Sequence, residues 1–241
     1  MYRFFSQQEY SEKIFLQGTD AYHIANVLRM QTGEKMQIVT SDRYLALAEI
    51  SSIKAGIIEL KSLEILDKFV KLNRVVLAQG LIKGDKMDYV VQKAVELGVT
   101  DIYLLKLSRC IVDYDLDKAI KKVERWQRIA YEAAKQSKHE VVPRVHEIKS
   151  LSEFLTEHTV NNLDILAYEE EQSYSLKACL QSNALNQDIT FLVGAEGGFA
   201  PKEVEQAVAQ GFKCVTLGKQ ILRTETAPLM LLAALKYEKE F

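Results

Sequence analysis

Three features of the sequence predict an α/β chain with a smaller β-rich segment in front of it. From Asn73 onward, short apolar runs alternate with stretches of helical periodicity, the grammar of a mostly parallel sheet covered on both faces. Before that point the runs read as small strands with a single helix between them. Hydrophobic residues make up 48% of the 241, enough for one large or two modest cores, while 11 Gly and 3 Pro leave no room for long low-complexity tracts.

In the first segment, KMQIV (35–39), RYLALAEISSI (43–53) and GIIELKSLEIL (56–66) are β-rich runs separated by polar or Gly-containing breaks. Between an amino-terminal strand and these lies DAYHIANVLRM, read as a helix with Asp20 as its N-cap and Ile24, Val27 and Leu28 at helical spacing. Small strands in this number predict a compact barrel. The junction falls at Leu66 to Leu72, dividing the chain into domains 1–70 and 73–241.

The second segment opens with the buried-strand run RVVLAQG. Asp85 then starts a helix with Met87, Val90, Val91, Ala94 and Val95 on one face, and Gly98 stands where a left-handed C-cap is needed. DIYLLK (101–106), a helix over 116–137, LDILAY (163–168) and ITFLVG (189–194) follow. A helix runs from Pro201 to Gln210, stopped by Gly211, with Val204, Ala207 and Val208 facing inward. KCVTLG (213–218) and a final helix close the chain. No internal repeat is present.

Composition narrows the function classes. The longest wholly apolar stretch, Ala227 to Leu235, is too short to span a bilayer, and MYRFFSQQEY lacks the plan of a signal peptide. Three cysteines, odd in number and far apart, fit neither a disulfide framework nor a zinc ribbon. A cytoplasmic protein without membrane or metal follows as the expectation. The net charge of −2 excludes a histone-like nucleic-acid binder, but charge is segregated: residues 71–150 carry 16 Lys/Arg against 11 Asp/Glu, and residues 151–241 carry 7 against 13. Such asymmetry can build a polyanion-binding face without a high overall pI.

Ligands of parallel α/β sheets bind in loops beyond the carboxyl ends of the strands. Three such loops crowd the last third: AYEEEQ, GAEGGFAP and GKQILRTETAP. Gly194, Gly197 and Gly198 fit either a tight strand-to-helix turn or a loop whose N–H groups approach a ligand. Neither GxGxxG nor a P-loop Lys-Ser/Thr is present, which argues against a dinucleotide-dependent oxidoreductase. Glu196 and Glu203 would repel a pyrophosphate at the helix N-terminus but tolerate a cationic ligand such as S-adenosylmethionine. In the last loop, Thr224 or Thr226 can cap the final helix and Arg223 can pair with Glu225. Ile221 and Leu222 are an apolar hook inside a polar loop, which a cap does not need and an adenine slot does.

At these residues the chain resembles a known family. GAEGGFAPKEVE followed by LGKQILRTETA is similar to the carboxy-terminal signature of RsmE-type methyltransferases of the SPOUT superfamily. RFF (Arg3 to Phe5), the stretch His23 to Met30, GDKMDYVVQKAVELGV (84–99), the SRC segment at Arg109 and RWQRIAYEAAKQS (125–137) fall in family order. The resemblance implies a PUA-like β-barrel followed by a SPOUT α/β-knot methyltransferase domain, S-adenosyl-L-methionine as cofactor, and methylation of N3 of a uridine in 16S rRNA. It further implies the assembled small ribosomal subunit as substrate and a homodimer as the working form. Ala195 stands where the family has proline, and Lys138-His139 where it has an arginine, whose charge Lys138 would supply.

The resemblance also assigns roles. Arg223 would stabilise charge on the uracil oxygens and Glu225 would act as base. Backbone groups of Gly194, Gly197, Gly198, Leu217, Gly218, Ile221 and Leu222 would hold the cofactor, with Thr224 and Ala227 at the rim. Val193, Glu196 and Tyr168 complete that set. Along the helix after Lys118, Lys121, Arg125, Arg128 and Lys135 share one face and Ile120, Val123, Trp126, Ala130 and Ala133 the other. This stripe reads either as solvated surface or as an RNA face, to which Arg3, Arg29, Arg109 and Lys138 would add phosphate contacts. Two further readings are another SPOUT enzyme acting on ribose 2′-hydroxyls and a non-catalytic RNA-binding ribosome assembly factor.

Overall fold

The computed structural model describes residues 1–70, 73–158 and 163–240. Two compact units form, one from Met1–Leu72 with Ala134–Val142, the other from Asn73–Ala133 with Pro143–Phe241. Lys71 and Leu72, at the end of the expected junction, lie outside the described residues.

The first unit is a five-stranded sheet of β1 (Arg3–Phe5), β2 (Lys13–Leu16), β3 (Lys35–Val39), β4 (Tyr44–Lys54) and β5 (Ile57–Lys68), in the order β1-β3-β4-β5-β2. β1 runs parallel to β3 and every other pair is antiparallel. Ala55 and Gly56, with φ of 50° and 76°, form the two-residue turn joining β4 to β5. Both torsions are those of a type I′ turn, whose twist suits a hairpin. Three register shifts along β4 and β5 bend the pair, and inward-facing Ile14, Met36, Ile38, Ile50, Ile58 and Leu60 fill the space beneath.

α1 (Gly18–Tyr22) continues into a wider π-helical turn, His23–Val27. Asp20 is not its N-cap. Gln17 holds that position, and the Asp20 carboxylate instead accepts from Lys135 Nζ at 3.1 Å within the same unit. Lys135 is only 6% exposed, with its ammonium 5.0 Å from the centre of the Phe4 ring. A buried ammonium must be paired, so Lys135 leaves the expected basic stripe.

The second unit is a six-stranded sheet of β6 (Val75–Gly80), β7 (Asp101–Lys106), β8 (Arg144–Ser150), β9 (Leu163–Ala167), β10 (Ile189–Val193) and β11 (Lys213–Val215). Its order is β11-β9-β10-β6-β7-β8, and every pair is parallel. Ala78, Leu166 and Leu192 pack into one cluster with Phe154, Phe199 and Phe212, while the alternating Leu77, Ile165 and Phe191 are equally buried. Burial on both faces is why these strands read as unbroken apolar runs. Five helices connect them, α2 (Lys86–Glu96), α3 (Leu116–Ser137), α4 (Leu151–Glu157), α5 (Leu176–Gln181) and α6 (Pro201–Ala209), and α7 (Ala227–Glu240) follows the last strand. α7 packs on α2, α5 and β10. The chain therefore returns from edge strand β11 to the middle of the sheet before it ends.

Gly98 (φ 95°) and Gly211 (φ 91°) supply the left-handed residues after α2 and α6. On α6, Ala207 is buried but Val208 is half exposed. Glu203, in the first turn, is buried instead, its carboxylate bonded to backbone N–H groups at the start of the helix. Among the described residues, no helix is long and apolar enough to cross a membrane.

Asp101, at the start of β7, ties three elements together. It accepts from His146 Nε2 at 2.8 Å, Thr100 Oγ1 at 3.0 Å and Arg74 Nε at 3.2 Å. Burial pushes its carboxyl up, but these partners outweigh burial and bring the pKa down to about 2. A carboxyl lowered on folding stabilises the protein above its unfolded pKa, and the contribution is lost as pH falls through the folded value. We expect Asp101→Asn to cost about 2 kcal/mol at neutral pH, with the deficit vanishing between about pH 4 and pH 2 in urea denaturation. A deficit that persists at pH 2 would assign the loss to packing instead.

Candidate active site

The site begins where β6 and β10 end side by side, with Gln79 paired to Val193. A Cβ on Gly80 would lie 2.6 Å from Ala195 N and 2.9 Å from the Gly194 carbonyl carbon, so no side chain fits there. Beyond β10 the chain makes a tight turn in which the Gly198 N–H donates to the Ala195 carbonyl at 3.0 Å, with Gly198 at φ 66°. Pro201 then occupies the first turn of α6. Glu203 closes that turn: its carboxylate accepts from Ala200 N and from Ser108 N, both at 2.8 Å. It fastens the loop after β7 to the loop after β10, a contact the sequence reading did not anticipate.

Past β11, Gly218 (φ 124°) turns the chain back, its N–H donating to Thr216 Oγ1 at 3.2 Å. The Thr224 hydroxyl donates to the Gly194 carbonyl at 2.5 Å, so it holds two loops together in place of capping the last helix. The three loops enclose a cavity of about 430 Å³. Tyr168, Val193, Gly194, Glu196, Gly198, Leu217, Gly218, Ile221, Leu222, Arg223, Thr224, Glu225 and Ala227 all line it.

Gly197 does not line the cavity. It sits at the exposed corner of the turn, where its carbonyl accepts from Arg109 Nη1 at 3.2 Å and a Cβ would meet Arg109 Cβ at 2.9 Å. The Gly198 N–H is likewise spent inside the turn rather than left for a ligand. Lys86, Ala167, Glu169, Ala195, Thr216, Lys219 and Gln220 line the cavity and were missed. Lys219 and Gln220 sit inside the segment already singled out. Lys86 has no comparable signal in the sequence.

Charge is closely apportioned around the cavity. Lys86 Nζ lies 2.9 Å from Glu225 Oε1, so the partner of Glu225 is Lys86 and not Arg223. Burial pushes the Glu225 carboxyl up, but the Lys86 hydrogen bond and the Lys86 and Arg223 charges outweigh it and leave the pKa below its ordinary value. That makes Glu225 an anion at neutral pH and a weaker base than its expected role requires. Glu196 Oε1 accepts from Lys83 N at 3.0 Å. Glu196 Oε2 and Glu225 Oε2 are both buried with no partner among the described residues. The Tyr168 hydroxyl donates to Glu170 at 2.8 Å, and this bond, aided by burial, pushes its pKa up to about 12. Tyr168 is therefore a neutral hydroxyl on the cavity wall.

The residues expected to meet RNA divide into three groups. Arg3 is 9% exposed and engaged in its own unit, donating to Gln37 Oε1 at 3.0 Å and to the Lys138 carbonyl at 2.5 Å. A guanidinium so engaged is not free to serve as the expected phosphate contact. Arg125 and Arg109 are exposed but engaged, Arg125 Nε with Asp88 at 3.1 Å and Arg109 with Gly197. Arg29, Lys121, Arg128 and Lys138 are exposed, and no side-chain hydrogen bond or ion pair of theirs is found among the described residues. On the opposite face of α3, Trp126, Ala130 and Ala133 are buried as expected, whereas Ile120 is half exposed.

A small β-rich unit joined to a parallel sheet with a loop-walled cavity at its carboxyl edge is the build of a two-domain RNA methyltransferase. Residues 70–236 match the family described as RNA methyltransferase domain, and residues 16–61 the RNA methyltransferase PUA domain. The chain belongs to the ribosomal RNA small subunit methyltransferase E family. It is 34% identical over 239 residues to that protein from Bacillus subtilis (strain 168), covering 97% of this chain and 93% of the relative. The counterpart from Mesomycoplasma hyopneumoniae (strain 232) is 31% identical, with 96% and 97% covered. A crystal structure of a ribosomal RNA small subunit methyltransferase E from Neisseria gonorrhoeae bound to S-adenosyl methionine superposes with a TM-score of 0.85. It is 33% identical, with 98% of this chain and 97% of that one covered. The fold is thus a PUA-like domain followed by an RNA methyltransferase domain.

Gly80→Ala tests the close approach on which the cavity floor rests. It should cost about 1–3 kcal/mol, the range of an overpacked core, read as a lower denaturation midpoint. An unchanged midpoint would show that the β6 and β10 ends can part without penalty.

Proposed function

We propose that this protein transfers a methyl group from S-adenosyl-L-methionine to N3 of a specific uridine in 16S rRNA. The observation that carries the reading is the wall formed by residues 217–222. Among the described residues, the backbone N–H groups of Leu217, Ile221 and Leu222 donate to no protein oxygen. Ile221 on the same wall is 82% exposed. Free N–H donors beside an apolar side chain suit a purine ring and its ribose. The buried, unpartnered oxygens Glu196 Oε2 and Glu225 Oε2 suit a ligand that brings positive charge and N–H donors.

The residues present therefore fit the cofactor: backbone of Gly194, Leu217, Gly218, Ile221 and Leu222 would hold it, with Thr224 and Ala227 at the rim. When bound, it supplies an electrophilic methyl carbon on a sulfonium. The chain's own part is to make uridine N3 nucleophilic and to hold it in line. Arg223, exposed at the cavity with no side-chain hydrogen bond among the described residues, is placed to donate to a uracil oxygen and favour the N3-deprotonated base. The Lys86–Glu225 pair keeps a second cation at the same wall while preventing an unbalanced positive charge. Alignment of the two reactants can itself contribute up to about 7–11 kcal/mol.

The same reading makes the substrate 16S rRNA within the assembled small subunit and the working form a homodimer in the cytoplasm. The names of the relatives support small-subunit ribosomal RNA as the target, while the assembled subunit and the homodimer rest on the family resemblance. The exposed Lys121 and Arg128 of α3 are the phosphate contacts it uses. Lys121→Glu with Arg128→Glu should weaken RNA binding and reduce the slope of log affinity against log salt by about 2. Arg125→Ala should leave that slope nearly unchanged, because its charge is already balanced by Asp88. A slope equal to wild type in the double variant would make the stripe mere solvated surface.

The direct test is nucleoside mass spectrometry of 16S rRNA from cells lacking the gene and from cells complemented with wild type or Arg223→Ala. We expect 3-methyluridine to disappear on deletion, return with wild type and stay absent with Arg223→Ala, whose melting temperature should match wild type. A deletion strain that retains 3-methyluridine would overturn the reading. Full restoration by Arg223→Ala would remove the role given to that side chain.

A further inference from the structure

The side chain of Gln79 lies at the carboxyl end of the central strand β6, is completely buried, and takes no part in the cavity lining. Its Nε2 is 3.0 Å from Thr224 Oγ1, 3.1 Å from the Gly194 carbonyl and 3.1 Å from the carbonyl of Gly80. The Thr224 hydroxyl in turn donates to the same Gly194 carbonyl. A closed triangle results: amide to hydroxyl, hydroxyl to carbonyl, amide to carbonyl. Every donor direction is forced, since the Gly194 oxygen can only accept and the one hydroxyl proton is already given to it. The amide must therefore present its NH₂ end.

Thr224 stands between Arg223 and Glu225 in the chain, and Gly194 opens the glycine turn. Gln79 thus fixes, from beneath, the relative position of the two loops that wall the cavity. A buried amide left half satisfied would be costly, and its Oε1 is already without a partner among the described residues. That is a cost a simple filler would avoid, since Leu or Met would pack the same space with no polar atom to satisfy.

We propose that Gln79 is a positioning residue for the methyl-transfer site, acting through Thr224 to hold the Arg223–Glu225 segment against Gly194. This inference rests on the functional reading above. The geometry also explains why an acid will not substitute. Gln79→Glu keeps the shape but sets a carboxylate oxygen against the Gly194 carbonyl and the Thr224 hydroxyl oxygen, where a donor is required.

The test is a double-mutant cycle with two readouts on the full-length protein. Binding of S-adenosylmethionine is measured by calorimetry, and the melting temperature by scanning in the absence of ligand. Gln79→Leu and Thr224→Val should each weaken cofactor binding about tenfold or more, and the double variant should be no weaker than the worse single, because each breaks the same triangle. Thr224→Ser, which keeps the hydroxyl, should bind within about threefold of wild type. Gln79→Glu should lose binding although it is isosteric.

Additive losses in the cycle, or wild-type affinity in Gln79→Leu, would overturn the inference while leaving the functional reading standing. Failure of the wild type itself to bind S-adenosylmethionine would overturn both. If Gln79→Leu does not fold, Thr224→Val against Thr224→Ser decides: loss with valine and rescue by serine supports the triangle, and equal affinity of the two removes it. A purely structural role would lower the melting temperature of both threonine variants without separating their cofactor affinities.

Discussion

At the carboxyl edge of the larger sheet, two strand ends are pressed together so closely that Gly80 has no room for a side chain, and everything in the site is built outward from that approach. The contact brings the Gly194 carbonyl within reach of both Gln79 and Thr224. The Gln79 NH₂ group, the Thr224 hydroxyl and the Gly194 carbonyl, each a liability if buried alone, bond to one another. The loops above them are then free to keep their own polar groups unsatisfied, which is the condition for binding something else. A rigid floor under an incompletely bonded wall is what distinguishes a receptor cavity from an ordinary turn.

Charge follows the same division between fixed and available groups. Asp88 takes Arg125 Nε and Trp126 Nε1, tying α2 to α3, and Asp101 takes His146, Thr100 and Arg74. Glu203 is consumed at the start of α6. These carboxylates are structural because both oxygens of each are bonded. Glu196 and Glu225 each bond through one oxygen and bury the other without a partner. Arg3 and Lys135 are likewise held inside the β-rich unit, whereas Lys121 and Arg128 stay in solvent. Counting basic residues would therefore overstate the positive charge left unpaired in solvent, and sorting them by partner corrects it.

Some parts of the fold were hidden for identifiable reasons. β8 reads RVHEIKS and sits at the edge of the sheet, where charged residues interrupt any apolar run, so periodicity does not mark it. β2 is four residues long, too short for a pattern. α4 could have been found: Ser150 and Glu153 form a capping box directly ahead of Leu151, Phe154 and Leu155. α5 carries a weaker signal of the same kind, Ser175 capping a six-residue helix. Asp20 misled because an acidic residue within the first turn of a helix looks, in one dimension, like the residue that precedes it.

The alternation of strands and helices, the glycine turn after β10 and the apolar residues inside the 217–222 loop were legible in the order of residues, because each is a local matter of period, torsion or solubility. Thirteen of the fourteen residues that the family resemblance placed at the centre line the cavity, in two short runs around Gly194 and Leu222 with Tyr168 beside them. Gly197 fell outside because which corner of a tight turn faces a cavity is set by what packs against it, here Arg109. The Lys86–Glu225 pair and the bond from Gln79 to Thr224, which spans 145 residues, had no counterpart in the linear pattern. Such partners are chosen by burial and distance in three dimensions, and no spacing along the chain encodes which buried donor will find which acceptor.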